Sequence, residues 1–155
     1  MSKAFTRESD ELPERPALKQ PLSALPPGTK NYFTPPGVLK LRLELERLVS
    51  EPSSTAIRQR IFEIQESLLS AVAVPPPPPP WEQVLFGATV TVRNQLGEHI
   101  TYRIVGVDET DTDRDFISWL SPVAKALLKA RVGEQVRFRA PAGEQDLEIV
   151  KVEYE

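Results

Sequence analysis

The sequence predicts an α+β protein: a short antiparallel helical hairpin followed by an antiparallel sheet with one helix packed on it. Three observations carry this. Apolar residues recur at helical spacing twice between residues 34 and 74. From Val84 onward the pattern changes to the two-residue alternation of strands. Fourteen of the sixteen prolines lie before Trp81, and only Pro122 and Pro141 follow it. Proline fixes φ and removes a backbone donor, so the N-terminal half cannot be one uninterrupted packed body. The core is expected where proline is scarce.

Residues 1–33 carry scattered charge, five prolines and no apolar period, which predicts a mostly disordered tail. The alternative there is a short recognition segment around Leu22, Leu25 and Tyr32. Residues 34–74 are expected to form the hairpin. Thr34 is a suitable N-cap, and Pro35 and Pro36 fall in the first turn, where a missing N–H costs little. Val38, Leu41, Leu45 and Leu48 then form one stripe, which Leu39, Leu43 and Val49 are expected to widen. Pro52 stops this helix near Ser50. Ser53 or Ser54 can cap a second helix, in which Ile57, Ile61, Ile64, Leu68 and Ala71 repeat as a narrow seam. The first arm spans about 24 Å at 1.5 Å per residue. That is short.

Residues 75–83 contain six consecutive prolines, a semi-rigid polyproline II spacer of about 3.1 Å per residue; the alternative is a ligand for an SH3-like groove. Residues 84–155 then read as one domain. Val90 and Val92 alternate with polar neighbours, Asn94 to Gly97 makes a turn, and Ile100, Tyr102 and Ile104 continue on one face up to Gly106. Asp108 to Asp115 is an acidic loop, and Phe116 to Trp119 a short strand. Ser121 followed by Pro122 starts a helix through Leu127 and Leu128. Val136 and Phe138, then Leu147 to Tyr154, supply the last strands, and the slip in alternation at Ile149–Val150 predicts a β-bulge.

Composition excludes whole classes of chemistry. Without cysteine there are no disulfides, thiolate zinc sites or cysteine nucleophiles. His99 is the only histidine and has no second histidine to share a metal or a proton relay; an ordinary strand-edge residue is expected. The net charge of −3 argues against duplex DNA as a direct partner. No apolar run is long enough for a membrane span and Met1–Asp10 lacks a signal-type core, so a cytoplasmic protein is expected. Asp108, Glu109, Asp111, Asp113 and Asp115 lack the central glycine and closing glutamate of a calcium loop, and an exposed acidic loop able to steer docking fits better.

Phe86-Gly87-Ala88-Thr89-Val90-Thr91-Val92, Tyr102-Arg103-Ile104-Val105-Gly106 and Ser121-Pro122-Val123-Ala124-Lys125-Ala126-Leu127-Leu128 form a series that resembles the GreA/GreB transcription elongation factors. Val132-Gly133-Glu134, Pro141-Ala142-Gly143-Glu144 and Leu147 to Tyr154 extend it over nearly all of residues 84–155. Tyr32-Phe33-Thr34 and the leucine-rich segment after it resemble the entry to the family's first helical arm. The resemblance implies an FKBP-like C-terminal domain, a bacterial RNA polymerase partner reached at the rim of its secondary channel, and a monomer that is not itself an enzyme and needs no cofactor or metal of its own. It also implies polymerase contacts by Ser121, Pro122 and Lys125 around the helix start, with Trp119 and Asp108 beside them. Trp119 is either a partly exposed hot spot or core filling, and partial exposure is favoured.

The departure is at the hairpin tip. The family's tip carries an Asp and a Glu three residues apart, a carboxylate pair that helps hold a catalytic Mg²⁺ and position water. Here the tip is Val49-Ser50-Glu51-Pro52-Ser53-Ser54, with Glu51 as its one acid. Glu63 and Glu66 sit mid-arm, and Glu44 and Glu46 point to different faces. A short hairpin without the acid pair resembles the Rnk-type arrangement, and binding to polymerase without cleavage stimulation is expected. Two alternatives stand beside it: an active cleavage factor acting through Glu51, and an adaptor that recruits another protein through its proline-rich segments.

Overall fold

The computed structural model describes residues 25, 26 and 28–155. Most of the expected tail, Leu22 included, lies outside these residues. At its end the expectation is corrected. Asn31–Phe33 form a strand, β1, that pairs in parallel with β2, Ala71–Ala73. The cause is burial: Phe33 is fully enclosed and Asn31 nearly so, so this segment closes the foot of the hairpin.

Between these strands run α1, Pro35–Val49, and α2, Thr55–Ser70. Thr34 caps α1 by accepting from the Gly37 N–H at 3.2 Å, and Ser54 caps α2 by accepting from Ile57 N–H at 3.2 Å. Leu41, Leu48 and Ile64 are buried with Phe33, and Val38, Leu45, Ile57, Ile61, Leu68 and Ala71 pack against them. Isolated helices of this length are marginal in water, so this seam holds the arms together. Leu39, Leu43 and Val49 do not widen it; they are 57, 55 and 65% exposed. At about 100° per residue, Leu39 and Leu43 each lie roughly 200° from Leu41 and so face away from α2. Arg60 ties the arms along one flank with two bonds to the Glu44 carboxylate, at 2.8 and 3.0 Å.

The C-terminal half is a five-stranded sheet in the order β5–β4–β3–β7–β6. Its strands are β3 Thr89–Arg93, β4 His99–Val105, β5 Phe116–Ser118, β6 Gln135–Ala140 and β7 Gly143–Glu153. One helix, α3, Pro122–Leu127, packs on it. The sheet is antiparallel except at one edge, where β5 runs parallel to β4; residues 106–115 carry the chain back through two 3₁₀ turns so that β5 starts beside Arg103. The expected bulge is present: Thr91 pairs with Lys151 and Val92 with Ile149, skipping Val150. Val84, Val90, Val92, Ile104, Leu127, Leu147 and Ile149 are enclosed in a core separate from that of the hairpin. Tyr154 closes the domain by donating to the Gln83 carbonyl at 2.6 Å and accepting from Leu85 N–H at 2.9 Å. The proline run Pro75–Pro80 belongs to no strand or helix. Its carbonyl at Pro77 accepts from the Trp81 indole at 3.0 Å.

No helix among the described residues is long and apolar enough to cross a membrane.

Candidate functional site

The tip of the hairpin offers little chemistry. Glu51 is bound by Arg47, one helical turn back, at 2.9 Å, an exposed i,i+4 pair of the kind that contributes about 0.3–0.5 kcal/mol. No other carboxylate lies between Val49 and Ser54. Glu44 and Glu63 both serve Arg60 on the hairpin flank, and the hydrogen bond from Arg60 to Glu44 is the main reason the guanidinium pKa is raised. Among the described residues no group of three acids or histidines is placed to hold a metal ion.

A second region gathers four of the singled-out residues. The chain leaves β5 with Trp119 N–H donating to the Val105 carbonyl at 2.9 Å, and a turn closes from Ser121 N–H to the Ser118 carbonyl at 2.9 Å. Ser121 then caps α3 by accepting from Ala124 N–H at 3.2 Å, which sets Pro122 and Lys125 on the exposed side of the helix. Trp119 is half-buried, its ring 5.1 Å edge-on from Tyr32 of β1, and Tyr32 in turn meets Phe86 at 5.7 Å. These aromatics join the start of the hairpin to the domain. Trp119, Ser121, Pro122 and Lys125 thus form one continuous stretch. Glu51 is elsewhere, at the far end of the hairpin.

Asp108 also stands apart, and here the expected exposed acidic loop is corrected. Asp108 and Glu109, on the 3₁₀ turn Val107–Glu109, turn inward to the foot of the hairpin. The Asp108 carboxylate accepts from Ser67 of α2 at 3.0 Å and from the Asn31 amide at 3.3 Å. Glu109 accepts from the Thr34 N–H at 3.0 Å, from the Gly106 N–H at 2.7 Å, and from the Thr34 hydroxyl. The physical cause is that Asn31, Thr34 and Ser67 are buried donors and need acceptors. Asp113 and Asp115 remain exposed, while Asp111 is half-buried. The sequence signal here was the run of acids after Gly106, and it favoured an exposed loop.

A cleft of about 410 Å³ opens beside the junction, between α1, α2 and residues 108–116. Lys40, Arg60, Arg103 and Arg114 line it together with Glu44, Asp108, Glu109 and Asp111. Cations and carboxylates balance, so it has no field of one sign to draw in a charged ligand.

Burial raises the Asp108 pKa above the ordinary carboxylate value, opposed by the hydrogen bonds from Ser67 and Asn31 and by the Arg60 charge. A raised folded-state pKa means that the folded protein holds its proton more tightly than the unfolded chain. This contribution to stability is complete below the unfolded pKa and is lost as pH rises through the folded one. Asp108→Asn is therefore expected to flatten the pH dependence of unfolding in the mildly acidic range, its amide oxygen still accepting from Ser67. Asp108→Ala leaves buried donors unpartnered and is expected to cost about 1–3 kcal/mol at neutral pH. Urea unfolding across that pH range checks both.

The pattern described as "Transcription elongation factor, GreA/GreB, C-term" matches residues 78–154. Transcription elongation factor GreB of Neisseria meningitidis serogroup B is 35% identical over an alignment covering 81% of this chain and 95% of that protein. Transcription elongation factor GreA of Trichlorobacter lovleyi is 41% identical over 64% of this chain and 63% of its own length. Among solved structures, the GreA/GreB factor from Nitrosomonas europaea aligns with 81% of this chain and 100% of its own, at 28% identity and a TM-score of 0.45.

Proposed function

Because the chain belongs to the GreA/GreB family of transcription elongation factors, we propose that it binds bacterial RNA polymerase by its C-terminal domain and regulates elongation without stimulating transcript cleavage. The docking surface is the stretch Trp119, Ser121, Pro122 and Lys125 at the rim of the secondary channel, with the hairpin set at the channel entrance. Trp119 supplies the apolar anchor and Lys125 a steering charge. Asp108 contributes by holding the hairpin. The protein acts as a cytoplasmic accessory to the polymerase and carries no active site of its own.

One observation supports the loss of cleavage above the others: the tip presents a single carboxylate, Glu51, already paired with Arg47. Coordinating a second Mg²⁺ and orienting water for phosphodiester hydrolysis calls for several oxygen ligands at fixed positions. Reach points the same way. The 15 residues of α1 span only about 22 Å at 1.5 Å per residue.

Backtracked elongation complexes test this directly. The protein is expected to leave the rate of RNA shortening unchanged, to slow shortening by a Gre factor with an intact tip through competition, and to do both equally well as Glu51→Ala. Rapid shortening that disappears with Glu51→Ala would establish the active-factor reading. Failure to compete at micromolar concentration would remove the docking reading.

A further inference from the structure

Asp108 and Glu109 are consecutive in sequence, yet they hold opposite arms of the hairpin. Glu109 grips the beginning of α1 by accepting both the backbone N–H and the hydroxyl of its N-cap, Thr34, while also accepting from Gly106 at the end of β4. Asp108 grips the last turn of α2 through Ser67, and Asn31 joins that grip by donating to both Asp108 and Ser70. The Tyr32 contacts with Trp119 and Phe86 hold only the start of the hairpin, and attachment on that side alone would leave it free to pivot. Two anchors on one short turn, one for each arm, fix a direction.

The surroundings leave no slack. A Cβ on Gly37 would stand 1.7 Å from a Glu109 carboxylate oxygen, and one on Gly106 would stand 2.0 Å from the Tyr32 carbonyl. Both glycines have ordinary negative φ, so neither is required by backbone conformation; the close approach of the two halves requires them. The Thr34 hydroxyl is used twice, accepting from Gly37 N–H and donating to Glu109, so the cap of α1 is completed from the other half of the chain. Charge-assisted bonds of this kind are stronger than neutral ones.

We propose that Glu109 is a positioning residue, which together with Asp108 locks the hairpin at one angle to the C-terminal domain, so that the tip is presented as a rigid extension of the docked domain. The lock is a property of the free protein. Its effect on elongation rests on the docking reading, but its existence does not.

The chain has no cysteine, so a spin-label pair can be placed without background. Ser53→Cys at the tip and Leu96→Cys on the β3–β4 turn are both exposed; a control pair, Leu96→Cys with Glu134→Cys, reports on the domain alone. The full chain is expected to give a single narrow tip-to-domain distance. Glu109→Ala is expected to lose that narrow peak while the control distance stays unchanged. Thr34→Val, which removes the hydroxyl donor and leaves Glu109 in place, should broaden the same distance, and Glu109→Gln should fall between wild type and Glu109→Ala. If Glu109→Ala does not fold, Thr34→Val and Glu109→Gln decide. A peak as narrow as wild type in every folded variant, with only a lowered unfolding temperature, would show that these bonds add stability without setting the angle and would overturn the proposal. Because the measurement needs no polymerase, its outcome is independent of the docking test.

Discussion

Phe33→Ala is expected to destabilise the hairpin by about 3–5 kcal/mol, the range for removing a buried aromatic side chain. Phe33 is fully enclosed. It lies on the strand that closes the foot of the hairpin, and its carbonyl accepts from Val74 N–H at 2.9 Å. Leu41, Leu48 and Ile64 share its buried cluster, with partly buried side chains packed against them, so its removal leaves a cavity in the hairpin's own core. The domain has its own core, from Val84 to Tyr154. The loss should therefore be local. Amide hydrogen exchange is the suitable measurement: protection is expected to fall throughout α1 and α2 while β3 and β7 keep theirs. Equal loss in the strands would mean that the two cores unfold as one unit.

The periodic elements were legible because local chemistry decides them. Thr34 with two following prolines, Ser54 ahead of an isoleucine seam, and Ser121 before Pro122 each cap the helix they predict. The slip at Ile149–Val150 became the bulge at Val150 because strand alternation leaves no other way to keep Ile149 and Val152 inward. What could not be read were contacts between residues distant in sequence. Asn31, Tyr32 and Phe33 follow a segment of proline and charge. They become a strand only because Ala71–Ala73 returns beside them, roughly 40 residues later. Asp108 and Glu109 look like solvated loop acids until buried donors from two distant stretches, Asn31 with Thr34 and Ser67, arrive. Leu39 and Leu43 are the opposite case. Their leucine identity suggested seam positions, but the helical angle from Leu41 places them outside it.

The candidate site divides in the same way. The lone Glu51 at the tip was evident from composition, since no fold can supply a carboxylate that the segment lacks. The contact of Trp119 with Tyr32 depended on β1, which the sequence had not suggested, whereas its packing on the domain core did not.

Gly106→Ala is expected to be the most damaging small substitution in the described part of the chain, at about 2–5 kcal/mol, from steric overlap and the weakened bonds to a charged acceptor. The added Cβ would sit 2.0 Å from the Tyr32 carbonyl oxygen and 2.9 Å from a Glu109 carboxylate oxygen. Backbone cannot swing aside as the end of a side chain can. Either β1 shifts or residues 106–109 do, and both movements pull Glu109 away from Thr34. Gly97→Ala is the comparison that separates causes. Gly97 has a φ of +82° and open space around it, so alanine there should cost about 1–2 kcal/mol from backbone conformation alone. Gly106 has an ordinary φ of −69°, so none of its cost should come from backbone conformation. Since the clash is with main chain, Tyr32→Ala should not relieve it: the double variant is expected to be at least as unstable as Gly106→Ala. Urea unfolding of the four proteins checks the order. A Gly106→Ala protein more stable than Gly97→Ala, or one rescued by Tyr32→Ala, would mean that the hairpin and the domain are not in the tight apposition on which the two-arm lock depends.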